Sequence, residues 1–261
     1  MPSRPPDTAS DAVSDTASDA AICVAPAVPA DTAPGRLPAG LSAGLPAALL
    51  CDMDGTLVDT EREWLLAVAA LLDEEGLPSG EAALAPFAGA TLADSAARLI
   101  EQHGLRATRE ELFSRLDGDF TRRVAAGVAV QPGALAFLDR ARALGVPTAL
   151  VTASERHLTD LVLETLGAHR FDLTVAGTEG GRSKPYPDPY LAAATRLGAD
   201  PADCLAVEDT PTGAAAALAA GCRLLAVPTV PGIEPGPRTL FAASLVGLDP
   251  AALPLSGSLP A

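Results

Sequence analysis

The sequence predicts an α/β fold: a parallel sheet with helices on both faces and a small helical domain inserted behind the first strand. Three observations lead there. Short continuous apolar runs alternate with amphipathic helical segments from residue 47 onward, as in parallel sheets buried on both faces. Residues 60–131 carry helical patterns and no strand pattern. The polar residues able to do chemistry gather just behind the apolar runs, where open parallel sheets bind ligands.

Residues 1–46 stand apart. They are rich in Ala, Pro, Ser, Thr and Asp, contain no aromatic residue, and repeat the hexapeptide 7–12 at 15–20. Such a segment buries too little apolar surface to offset its ordering entropy, so it is read as a disordered low-complexity extension. Only Arg4 supplies positive charge ahead of the faintly apolar stretch 20–30, aspartates precede that stretch, and prolines interrupt it. An export signal is therefore not expected, and a cytoplasmic location is.

The run 47–51 reads as the first strand. A helical insert follows at 61–131. Thr60 and Glu63 have capping-box spacing, with Trp64, Val68 and Leu71 at helical spacing behind them. Thr91 is expected to cap a helix carrying Ala96, Leu99 and Ile100. Thr108 and Glu111 form a second capping box, ahead of Leu112, Phe113, Leu116, Phe120 and Val124. Alternation then resumes: helix 132–145, strand 146–151, helix 154–167, and strands 171–176, 204–207 and 224–227. Asp188-Pro189 and Thr210-Pro211 each look like an N-cap followed by proline at the first helical position. The core is thus assigned to 47–60 and 132–249 as a Rossmann-like sheet, the cap to 61–131, and a C-terminal tail to 250–261.

Composition narrows the function. The 261 residues hold 33 acidic and 18 basic side chains, a formal net charge of -15, and 48% are hydrophobic. That supplies a sizeable core and argues against partners bound through their phosphate backbone or anionic lipid headgroups. No apolar run nears the roughly 20 residues needed to span a bilayer. No nucleic acid or membrane partner is expected, and the chain is read as a monomer or weak homodimer. Cys23, Cys51, Cys204 and Cys222 lack metal-ligand spacing and read as reduced apolar side chains.

Four clusters could carry chemistry. Asp52 and Asp54, followed by Gly55, lie just behind the first strand. Side chains two apart in extended chain project to one side, and like charges so placed call for a cation or a proton between them. Read singly, the cluster also fits a solvated turn or a calcium loop. Thr152 and Ser154 follow the strand 146–151, where a hydroxyl donates to a phosphate oxygen or caps the next helix. Lys184 is the only lysine, the other 17 basic residues being arginine. A lone lysine is ordinarily surface charge, but its compact ammonium suits a site that a guanidinium fork does not. Glu208 and Asp209 follow the strand 204–207. If that strand neighbours the first, four carboxylates share one crevice and need a divalent cation, for which hard oxygen ligands indicate Mg²⁺.

Taken together, the four clusters resemble the motifs of the haloacid dehalogenase superfamily, specifically its phosphatase-type members with a helical cap after the first strand, over residues 47–249. The resemblance implies a Mg²⁺-dependent phosphatase of a small phosphomonoester, a sugar phosphate among the candidates. It implies that Asp52 is the nucleophile forming an aspartyl-phosphate, and that Asp54 is the general acid and then the base. Thr152 would bind phosphoryl oxygens, Lys184 would balance charge, and Asp52, the backbone carbonyl of Asp54 and Asp209 would hold Mg²⁺, with Glu208 a ligand or a partner of one. The carboxylate of Asp54 favours transfer at oxygen over dehalogenation. A phosphosugar mutase of the β-phosphoglucomutase type is the alternative, although such mutases carry His where Trp64 stands and Arg near Leu92. A non-catalytic regulator ranks last, because both aspartates are present. Trp64 resembles the cap of 2-deoxyglucose-6-phosphate phosphatases and is otherwise cap core. Glu61, Arg62 and Ser154 are candidate substrate contacts. His103, His157 and His169 fall in no motif and read as structural or surface residues.

Overall fold

The computed structural model describes residues 44–253 except Gly89 and Thr91. Most of the expected extension 1–46, the expected cap at Thr91 and most of the expected tail 250–261 lie outside the described residues. Leu253, within the tail range, is buried in the core.

Six strands form one parallel sheet: β1 (Leu49–Cys51), β4 (Thr148–Val151), β5 (Leu173–Val175), β6 (Leu205–Glu208), β7 (Arg223–Ala226) and β8 (Thr239–Phe241). Their lateral order is β5-β4-β1-β6-β7-β8. β1 therefore sits between β4 and β6, with Cys51 opposite Leu150 on one side and Val207 on the other. The continuous apolar runs have the expected cause. Leu49 and Cys51 pack into one core layer, while Ala48 and Leu50 pack into the other. β8 has no counterpart in the sequence reading. It is three residues long and follows a loop rich in proline and glycine, so its pattern is too short to read.

Between β1 and β4 the chain forms the cap. A two-residue antiparallel pair, β2 (Val58–Asp59) with β3 (Ala129–Val130), holds the chain where it leaves and where it returns. Between these strands lie α1 (Thr60–Glu74), α2 (Glu81–Leu84), α3 (Leu92–His103) and α4 (Arg109–Ala126). Trp64, Val68, Leu72, Phe87, Leu99, Leu112, Leu116 and Phe120 make the interior of this helical unit. The capping box at Thr108 and Glu111 forms as the spacing predicts. The one at Thr60 does not. Asp59 caps α1, accepting from the Arg62 amide at 3.2 Å, and the Thr60 hydroxyl is used on Asp54 instead.

Helices α5 (Ala134–Ala143), α6 (Arg156–Leu166), α7 (Asp188–Leu197) and α8 (Pro211–Ala219) complete the core. Thr210 caps α8 through the Gly213 amide, with Pro211 in the first turn. Asp188 does not cap α7. The backbone is already helical at Pro187, so Asp188 lies inside the helix, and its carboxylate accepts from the backbone and guanidinium of Arg182.

Candidate active site

The crevice opens where the strand order reverses about β1. Asp52 follows β1 directly, and its amide donates to Val207 O at 3.0 Å, tying it to β6. The turn behind it is closed by the Gly55 amide on Val58 O at 2.8 Å. Gly55 has φ +82°, and a Cβ there would stand 2.1 Å from Asp209 Oδ2. The motif glycine is thus needed both for its left-handed backbone and for the close approach of β6's acid.

Lys184 comes from the loop ahead of α7. Its ammonium donates to Asp52 Oδ1 at 2.5 Å, Glu208 Oε1 at 2.7 Å and Val151 O at 2.9 Å. Its side chain is 6% exposed. Asp52, Glu208 and Asp209 are buried and present ligand oxygens within 4.8 Å of one another. Glu208 has no solvent exposure and also accepts from the Tyr190 hydroxyl at 2.5 Å. Its carboxylate fits because the facing residue on α8 is Gly213, where a Cβ would come within 2.0 Å of it. Asp209 accepts from Thr56 at 3.1 Å and from the Thr229 hydroxyl.

Three buried carboxylates thus cluster about one ammonium, which bonds two of them directly. Burial pushes the Asp52 carboxyl well above its usual range; the Glu208 charge adds to that, and Lys184 offsets part of it. Burial likewise pushes Asp209 up to about 6, against the bonds from Thr229 and Thr56. Burial alone would lower Lys184, but Asp52 and Glu208 outweigh it and hold the ammonium above the ordinary lysine value. Burial and the Glu208 charge raise Tyr190, which keeps it a donor. A hard divalent cation fits this donor set, because all three side chains offer oxygen and the surplus negative charge is out of water.

Asp54 stands apart from the three acids. Thr60 donates to its Oδ1 at 2.7 Å, while Thr152 and Ser154 donate to its Oδ2 at 2.9 and 2.8 Å. The side chain is therefore held by hydroxyls, which leaves the metal role implied for Asp54 to its backbone carbonyl. Thr152, expected to face a phosphoryl group, is fully buried and points at Asp54. Its oxygen also accepts from the Ser154 amide at 3.0 Å.

Trp64 does not join the cluster. Trp64 is 6% exposed. Its indole donates to Phe87 O at 3.0 Å, and its ring meets Phe120 edge-on at 5.7 Å. Trp64 is cap core, the alternative the sequence left open, because its one polar atom is already satisfied inside the insert. Glu61 sits in the first turn of α1, partly exposed. His103 stacks on Phe87 and His157 lies beside Thr121 and Asp117. The carbonyl of His169 accepts from Arg142. Cys51, Cys204 and Cys222 are free and buried. Sequence reasoning missed Tyr190 and Thr229. Tyr190 lies on the inward face of a helix, where an aromatic ring ordinarily signals packing, and Thr229 lies in a loop without a motif.

A capped parallel sheet with a buried acid–lysine cluster at its switch point defines an α/β enzyme built for chemistry on anionic groups. The chain belongs to the haloacid dehalogenase-like hydrolases, whose family model matches residues 46–221. It is 33% identical over 190 residues to hexitol phosphatase A of Escherichia coli K12, covering 68% of this chain and 81% of that protein. Among solved structures, a haloacid dehalogenase family hydrolase of Deinococcus radiodurans with bound phosphate and sodium superposes with a TM-score of 0.60. The identity there is 33%, over 72% of this chain and 84% of that one. A β-phosphoglucomutase-like protein of Thermotoga maritima gives a TM-score of 0.63 at 26% identity, over 72% and 88%. The chain is accordingly a hydrolase of phosphoric monoester bonds. No helix among the described residues is long and apolar enough to cross a membrane.

Proposed function

We propose that this chain is a Mg²⁺-dependent phosphatase of a small phosphomonoester, working through a phosphorylated Asp52. The observation that carries the reading is the convergence of Asp52, Lys184, Glu208 and Asp209, from three separate segments, on one buried point. Asp52, Asp209 and the backbone carbonyl of Asp54 are the residues that would hold the ion. Bound there, Mg²⁺ supplies positive charge that lets a carboxylate approach a phosphate.

The residues divide the work as follows. An Asp52 oxygen attacks phosphorus, and the bond from phosphorus to the ester oxygen breaks. Lys184, already on Asp52 Oδ1, offsets the charge that accumulates. Asp54 gives its proton to the leaving oxygen and later takes one from the water that releases phosphate and restores Asp52. The hydroxyls of Thr60, Thr152 and Ser154 hold Asp54 two residues from the nucleophile. Dehalogenation needs no such proton carrier. The cap would close over the substrate and carry specificity, while still admitting the water needed for the second step.

Hydrolysis is favoured over the mutase alternative by Trp64. At the position where mutases are expected to carry histidine, this residue keeps its only polar atom inside the cap. Hexitol phosphates and hexose phosphates head the substrate panel because of the hexitol phosphatase relative. The test is phosphate release across a metabolite panel, with and without chelator, using Asp52→Asn as control. Chelator-sensitive release abolished in D52N is the expected result. Full activity in D52N overturns the mechanism, and an isomerised ester seen by phosphorus NMR overturns hydrolysis.

A further inference from the structure

We infer that Thr229, in the loop behind β7, is a positioning residue that orients Asp209 for the cation. The inference rests on the Mg²⁺ reading above. Two atoms of Thr229 engage Asp209: the hydroxyl donates to Oδ2, and the amide reaches the backbone carbonyl at 3.3 Å. On the other side, the Thr56 hydroxyl donates to Oδ1 at 3.1 Å. Gly55 closes the third side, where a Cβ would stand 2.1 Å from Asp209 Oδ2 and 3.4 Å from Thr229 Oγ1.

The arrangement has a physical consequence. The last torsion of an aspartate is broad, so an unrestrained Asp209 would present its oxygens over a range of angles. Two hydroxyls, one per oxygen, set the plane of the carboxylate. Each oxygen accepts two bonds, so one lone pair on each stays available for a ligand. Mg²⁺ demands nearly ideal octahedral geometry, and partners that orient metal-binding side chains commonly govern affinity by about 10–100-fold. Thr229 lies on an exposed loop, which lets its hydroxyl be removed without opening the core.

The experiment is a Mg²⁺ titration of the metal-stripped full chain, read as the rise in melting temperature, for wild type, Thr229→Val and Thr229→Ser. T229V should melt below wild type without metal, having lost a donor to a buried carboxylate, and, measured from its own metal-free curve, need about tenfold more Mg²⁺ for the same rise. T229S, which keeps the hydroxyl, should follow wild type. A T229V curve within twofold of wild type overturns the inference, as does equal weakening in both variants, since the methyl would then be responsible. If wild type shows no Mg²⁺-dependent rise, it is the metal reading itself that fails.

Discussion

Replacing Lys184 by methionine isolates the charge at the centre of the site. Methionine is nearly isosteric and apolar, so the space stays filled. What disappears is the ammonium 2.5 Å from Asp52, 2.7 Å from Glu208 and 2.9 Å from Val151 O. All three N–H donors are in use and the side chain is 6% exposed, so water does not replace it. Breaking a buried ion pair from one side costs about 3–5 kcal/mol. If that is felt in the transition state, where charge near Asp52 grows, kcat falls by about 10²–10⁴-fold. Lys184→Arg refines the test. It keeps the charge but spreads it over a planar fork, which does not match three acceptors converging on one point and overfills the space. K184R is expected to lose at least tenfold in kcat while remaining folded. The assay is steady-state phosphate release with saturating Mg²⁺, alongside melting curves. K184M within tenfold of wild type, or K184R equal to it, would refute the reasoning.

Further expectations follow from the same geometry. The metal-free chain should lose stability as pH rises from 5 to 7. Asp209 is raised to about 6 and Asp52 is raised as well, so the native state binds more protons than the unfolded chain in that window. Over this window the Asp209 contribution is about 1 kcal/mol, added Mg²⁺ should reverse it, and a melting temperature flat with pH under chelator would contradict it. Gly55→Ala places a Cβ on Asp209 Oδ2 from a backbone at φ +82°. It should destabilise by about 1–2 kcal/mol from the backbone alone and weaken Mg²⁺ dependence further; unchanged metal dependence would count against the assigned contact. Tyr190→Phe removes the donor 2.5 Å from buried Glu208. A loss of about 1.5–3 kcal/mol in denaturant unfolding is expected, and no loss would mean that Glu208 is satisfied without it.

Much of this was readable along the chain because its causes are local. A strand buried on both faces must be apolar throughout, so Leu49, Leu50 and Cys51 announced themselves. The box at Thr108 and Glu111 is a reciprocal bond within one turn, and spacing alone specifies it. The solitary lysine stood out against 17 arginines. Where local signals competed, the reading went astray. Thr60 has the spacing of a capping residue, but Asp59 took the cap and freed its hydroxyl for Asp54. Asp188 precedes a proline as caps do, yet Arg182 claimed its carboxylate. The short pairs β2–β3 and the edge strand β8 leave no period to detect.

By itself the sequence determined which residues can bear charge, where strands end, and that a helical insert interrupts the alternation, because these depend on side-chain chemistry and on periods of two and 3.6 residues. Only the tertiary structure decided that β6 lies against β1. That lateral choice brings Asp209 and Glu208 to Asp52, sets Tyr190 beneath Glu208 and lets Thr229 reach Asp209. Strand order depends on how whole faces are buried together, and no stretch of chain encodes that alone.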